Sequence, residues 1–202
     1  MSFFQNTCKP EGLAGRLMVS MMNAGHTPMA KWGFSHIQVP NDATCLDIGC
    51  GGGANLRRLL EKCPQGHVTG IDYSAVSVEK SRKAARAAIG KGRCTVLRGN
   101  VMALPFDEGA FDLVTAFETV YFWPDIGEAF AQVYRVLKTG GSFLICNELD
   151  GEKPGDEKWT DMIQGMRLYT AGQLKTALES AGFSHIMLGK NDTGWLCLVC
   201  KK

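Results

Sequence analysis

Apolar and polar positions along this chain switch period repeatedly between residues 43 and 148. Short apolar runs at 44–48, 67–72, 93–98, 111–117 and 142–148 read as strands. Between them, residues 54–62, 75–89 and 125–137 repeat their apolar positions with the 3.6-residue period of a helix. Ser74 fits the N-cap of the second helix, and Pro124 fits the first turn of the third. Gly140 and Gly141 close that third helix and open the next strand. The alternation predicts an α/β fold, a parallel sheet with helices on both faces.

The pattern changes near the C-terminus. Thr170 and Gln173 form a capping box for a helix running to about residue 180. Two strand-like runs follow, at 184–188 and 194–199, joined by only five residues. Five residues cannot hold a crossover helix, so these strands must pair antiparallel. Ahead of the first strand, residues 12–23 and 28–37 predict two helices rich in methionine and aromatics. Their methionines suit ordinary packing or a cap over the strand ends, where open α/β sheets bind ligands.

A length of 202 residues fits one domain, with residues 1–40 as a helical cap and 41–202 as the core. The net charge of +2 and the lack of a charged tail give no reason to expect nucleic acid. No apolar run approaches the ~20 residues that span a bilayer. The first residues lack the basic and apolar regions of a secretory signal. The expectation is a cytoplasmic protein, monomer or homodimer, away from membranes. Of eight cysteines, Cys45, Cys94, Cys146 and Cys197 lie in strands, where free cysteine acts as a small hydrophobe. Cys197 and Cys200 form a C-x-x-C, but residues three apart on a strand face opposite sides. No metal site is expected.

The candidate chemistry begins at Leu46-Asp47-Ile48-Gly49-Cys50-Gly51-Gly52-Gly53. A strand that turns through glycines into a helix lets backbone approach a ligand closely and aims free N–H groups at it. Gly49-x-Gly51-x-x-Ala54, with Asp72 ending the second strand, matches a dinucleotide fingerprint. Asp47 argues against it, because its charge would repel a pyrophosphate. The glycine run is also denser than that fingerprint needs, and no chain remains for a separate substrate domain. S-adenosylmethionine, whose methionyl end carries an ammonium, suits the aspartate better. Asp47 can take that ammonium, and the amides of 49–53 can approach the methionyl part. Asp72 can accept from both ribose hydroxyls. Asn100 can accept from the adenine amino group, and the Val101 N–H can donate to a ring nitrogen.

On these motifs the chain resembles the class I S-adenosylmethionine-dependent methyltransferases. The resemblance also rests on Gly70-Ile71-Asp72-Tyr73-Ser74, on Gly99-Asn100 through Pro105-Phe106 and on Phe111-Asp112-Leu113-Val114. Tyr134-Arg135-Val136-Leu137-Lys138-Thr139-Gly140-Gly141 completes it, so that about residues 43–148 are covered in family order. Asn100 and Thr139 depart from it, standing where aspartate and proline are common. The resemblance implies a Rossmann-like seven-stranded sheet of order 3-2-1-4-5-7-6 with strand 7 antiparallel. It implies S-adenosyl-L-methionine as cofactor, S-adenosyl-L-homocysteine as product, and a cofactor site at Asp47, Gly49, Cys50, Gly51, Gly53, Asp72, Tyr73, Asn100 and Val101. A backbone carbonyl near the methionyl amine points to Phe117 and Glu118.

Methyl transfer needs positioning and exclusion of water, and a base only where the nucleophile must lose a proton. The end of strand four reads Phe117-Glu118-Thr119-Val120-Tyr121-Phe122-Trp123. It lacks both the Asx-Pro-Pro-aromatic of amino-methylating DNA and protein enzymes and the cysteine of RNA cytosine-C5 enzymes. A small-molecule acceptor is therefore expected, bounded by His26, Trp32, Tyr121, Trp123 and Glu148. His26 and Tyr121 are candidate catalytic groups. The alternatives are a methyltransferase for RNA or protein and a non-catalytic cofactor-binding sensor. Residues 152–158, charged and containing a proline and a glycine, suit a mobile loop at the rim.

Overall fold

The computed structural model describes Pro10 and residues 12–202. Seven strands form one sheet in the order β3-β2-β1-β4-β5-β7-β6. They are β1 (Thr44–Ile48), β2 (His67–Asp72), β3 (Cys94–Arg98), β4 (Phe111–Phe117), β5 (Leu137–Asn147), β6 (Ser184–Lys190) and β7 (Leu196–Lys201). Strands β1 to β5 run parallel, and β7 is antiparallel to both β5 and β6. The sheet is thus the Rossmann-like one expected, with the short 191–195 connection forcing the reversal.

Side chains alternate across the strands and feed two cores. On one face, Leu46, Val114, Phe143, Ile145 and Leu198 pack under α6 (Ile126–Val136) and α8 (Ala171–Ser180). On the other, Cys45, Val68, Leu113, Leu144 and Val199 pack under α2 (Thr27–Phe34), α3 (Ala54–Lys62) and α4 (Ala75–Ala84). Cys197 and Cys200 fall in different cores, as their spacing requires. The seven described cysteines are all free and buried.

The helix caps follow sequence rules. Ser74 accepts from Ser77 N–H, and Thr170 and Gln173 close their capping box. Three boundaries differ from expectation. The helix over 75–89 breaks at Ala85 into α4 and α5 (Arg86–Gly90). Asp125 rather than Pro124 starts α6, because its Oδ1 accepts from Glu128 N–H. Strand β5 begins at Leu137, before the glycine pair, because Leu137 already pairs with Phe111 and Gly140 sits inside the strand at φ +78°.

The N-terminal helices divide the two roles expected of their methionines. Met29 and Phe34 of α2 are buried in the second core. Helix α1 (Gly12–Gly25) instead borders the strand C-termini with Val19 and Met22. The 152–158 segment is not a free loop. Lys190 Nζ lies 2.8 Å from buried Asp150 and 2.6 Å from Glu152, Lys153 bonds the Thr193 carbonyl, and Glu157–Met162 forms helix α7. These ionic contacts tie the segment to the β6–β7 hairpin. No described helix is long and apolar enough to cross a membrane.

Candidate active site

A narrow cleft of about 100 Å³ opens at the C-terminal ends of β1, β2 and β4. Its floor is the glycine turn. Gly49 and Cys50 both donate their N–H to the Ile71 carbonyl, at 2.8 and 3.1 Å, which holds the turn against β2. Gly49 has φ +72°, and a Cβ there would strike Thr119. Gly53, at φ +80°, caps α3 and lies so close to Ser81 that a Cβ would meet it at 3.1 Å. Ser81 Oγ donates to the Gly51 carbonyl at 2.9 Å, so α4 clamps the loop from the side.

Two aspartates frame this turn. Asp72 accepts from Gly51 N–H at 2.9 Å on one oxygen and from Ser74 N–H at 2.8 Å on the other, and the Ser77 side chain also bonds the carboxylate. Three donors on a group with about four acceptor sites leave room for a ligand hydroxyl. Burial raises the Asp72 pKa above the usual carboxylate range against the pull of those amides. Asp47 lies behind the turn, 2% exposed, and accepts from Thr115 Oγ1 at 2.7 Å. Burial pushes its pKa up to about 7, and the charge of Asp72 adds to the rise. A cation arriving at the turn would relieve both carboxylates.

Gly49, Cys50, Gly51, Asp72, Tyr73, Phe117 and Glu118 all line the cleft, so these expected site residues converge. Asp47, Gly53, Asn100 and Val101 do not reach its wall. Asn100 Oδ1 accepts from Met102 N–H at 3.1 Å and caps a short 3-10 turn, and Val101 is buried in the first core. Arg58 is a wall residue that sequence reasoning missed. Its guanidinium donates to Asn55 Oδ1 at 2.8 Å and to Thr27 Oγ1 at 2.9 Å, linking α3 to α2. Arg57 and Arg58 look alike in sequence, and only the fold separates them.

Beyond Glu118 the cleft meets a second cavity of about 280 Å³. Met22, His26, Glu118 and Phe122 border both spaces. The second is mainly apolar, with Met18, Met21, Trp159, Ile163 and Met166 in its wall. Its polar end combines Glu118, Glu148 and His26, whose ligand atoms lie within 4.8 Å of one another. His26 Nε2 is 3.9 Å from Glu148 Oε2. Glu118 takes the left-handed backbone at φ +57°, uncommon for a residue with a Cβ. Its Oε1 accepts from Tyr121 OH at 3.1 Å and from Glu148 N–H. Burial drives the Glu118 pKa to about 8, and the neighbouring Glu148 adds to it. Burial raises Glu148 and lowers His26.

Two aromatic residues expected at an acceptor pocket stand elsewhere. Trp32 packs against His36 and Trp195, with ring centroids 4.6 and 5.9 Å away. Trp123 stacks in the first core on Phe143 and donates to Thr119 Oγ1 at 3.3 Å. Both are drawn away by apolar neighbours that the sequence does not reveal. Tyr121 lies at the cavity, but its OH is held by Glu118 and by Leu149, whose N–H donates to it at 2.9 Å. That geometry makes it a support for Glu118.

Residues 46–145 match the family model described as a methyltransferase domain. The chain belongs to the class I S-adenosylmethionine-dependent methyltransferases. It is 31% identical over 132 residues to 24-methylenesterol C-methyltransferase 2 of Arabidopsis thaliana, covering 64% of this chain and 36% of that one. It is 30% identical over 145 residues to demethylmenaquinone methyltransferase of Listeria welshimeri, covering 71% and 60%. The chain therefore spans about a third of the plant relative and less than two thirds of the bacterial one. Its fold is that of a chain in the complex between the Haloferax volcanii Trm112 methyltransferase activator and a methyltransferase. The TM-score is 0.82 at 22% identity, over 91% of this chain and 93% of that one. The cofactor of this class I methyltransferase is S-adenosylmethionine.

Proposed function

We propose that this chain transfers the methyl group of S-adenosylmethionine to a small molecule with an apolar body. The observation that carries the reading is the direct meeting of the aspartate-framed cleft with an apolar cavity at Glu118 and Phe122. In this reading Asp72 accepts from the two ribose hydroxyls, and buried Asp47 draws the methionyl ammonium towards the glycine turn. Gly49, Cys50, Gly51 and Gly53 bring backbone against the methionyl chain, Tyr73 flanks the nucleoside, and the Phe117–Glu118 backbone faces the amine. Arg58, at the same wall, suits the methionyl carboxylate. Asn100 and Val101 stay candidates for adenine once a ligand opens the β3 end of the cleft.

The sulfonium methyl then points into the second cavity. Displacement there breaks the C–S bond, and sulfur keeps the electron pair. The cavity wall excludes water and holds the acceptor in line, which is the main contribution such a site makes. Relatives named for a methylenesterol and for demethylmenaquinone support a small-molecule acceptor. The test is transfer of label from methyl-tritiated S-adenosylmethionine into a cell extract divided into small molecules, protein and RNA. Label in the small-molecule fraction is expected. Label confined to protein or RNA, or no transfer by a protein that binds the cofactor, would contradict the reading.

A further inference from the structure

The apolar cavity has a charged end with one sign. Glu118 and Glu148 both face it, beside His26, and no lysine or arginine lines its wall among the described residues. Glu148 is about a third exposed at its side chain, so it meets the space directly, while Tyr121 and the Glu148 N–H pin Glu118 behind it. Two carboxylates this close repel each other and any anion brought between them. A phenolate, carboxylate or phosphate would enter against that repulsion, and a neutral alcohol would not relieve it. An ammonium would pair with both acids while its apolar body filled the methionine-rich part of the cavity.

We propose that the acceptor is a small primary or secondary amine with an apolar body, held as its ammonium by Glu148 and Glu118 beside His26. This rests on the methyl transfer proposed above. The ammonium gives one proton to the Glu148 carboxylate, leaving a neutral nitrogen with a free pair. That pair forms the new N–C bond as the C–S bond breaks and sulfur takes its electrons. The products are a methylated ammonium, S-adenosylhomocysteine and a proton on Glu148, which leaves to solvent through its exposed edge. Glu118, protonated in the empty site by its raised pKa, ionises beside the arriving ammonium and stays as its countercharge, and His26 stays neutral because burial lowers its pKa.

The probes are hexylamine, hexan-1-ol and hexanoate, titrated calorimetrically at pH 7.5 into protein saturated with S-adenosylhomocysteine. Hexylamine should bind about tenfold or more tightly than hexan-1-ol, the scale of one hydrogen-bonded charge pair, and hexanoate weakest of all. Glu148→Gln should bring hexylamine to the affinity of the alcohol and leave the alcohol and the cofactor product unchanged. Equal binding of amine and alcohol, preference for hexanoate, or an unaffected Glu148→Gln variant would overturn the proposal. So would tight binding of Mg²⁺ or Zn²⁺ that displaces hexylamine, since the cluster would then be a metal centre. Failure of the wild-type protein to bind S-adenosylhomocysteine would overturn the donor assignment and this proposal with it. Normal product binding without an amine preference would overturn this proposal alone.

Discussion

Asp72→Ala should weaken S-adenosylhomocysteine binding by about 100-fold, because the two charge-assisted hydrogen bonds proposed to the ribose, about 1.5–3 kcal/mol each, would be lost and part of that recovered through water. The carboxylate ends β2 at the cleft and is 7% exposed. Its two oxygens already orient Gly51 N–H and Ser74 N–H, so the substitution also loosens the turn that would face the methionyl chain. Asp72→Asn separates the two effects. It keeps the size and one acceptor, so it should hold the loop better than alanine while still losing one ribose bond. Calorimetric titration gives the affinities, and thermal unfolding without ligand gives the cost to the loop alone. Unchanged affinity in Asp72→Ala would remove the ribose from this position.

Gly49→Ala should be the most damaging small substitution at the site. A residue with a Cβ in the left-handed region costs about 1–2 kcal/mol. The added methyl also runs into Thr119, whose Oγ1 receives the Trp123 indole N–H at 3.3 Å. Trp123 is locked among Phe130 and Phe143, so Thr119 cannot simply turn away. Overpacking of this kind adds about 1–3 kcal/mol. A total of about 3 kcal/mol should lower Tm by roughly 6–12 °C for a domain of this size. Cofactor affinity should fall as well, because Gly49 and Cys50 hang from the Ile71 carbonyl and would be pushed off it. An unchanged Tm would mean that the turn is looser than its contacts indicate.

The cleft half of the candidate site was legible in the sequence because it is local. Asp47, Gly49 and Gly51 lie on one strand and the turn that follows it, and Asp72 ends the strand paired beside it. The short hairpin connection was enough to show that the last two strands pair antiparallel, and the place of the reversed strand between β5 and β6 followed from the family resemblance. The second cavity was not legible in the same way. Its walls come from α1, from the ends of β4 and β5, and from α7, segments that share no pattern. His26, Tyr121 and Glu148 stood out as polar residues near strand ends or a helix junction. Trp32 and Trp123 stood out for the same reason, but Trp123 went into the first core and Trp32 packs against the edge of the second, since an aromatic side chain fits either place. Helix α7 was hidden because it is only six residues long and follows the charged stretch 152–156, which reads as loop.

The central claim is that the sulfonium methyl sits where the two cavities meet. Isotope-edited NMR with S-adenosylmethionine carrying a ¹³C-labelled methyl tests it directly. Cross-relaxation should connect that methyl to the ring protons of Phe122 and His26 and to the Met22 side chain, which border both spaces. Contacts from the methyl to Tyr73 and Ser77 instead, with none to Phe122 or His26, would reverse the cofactor in the cleft and contradict the account.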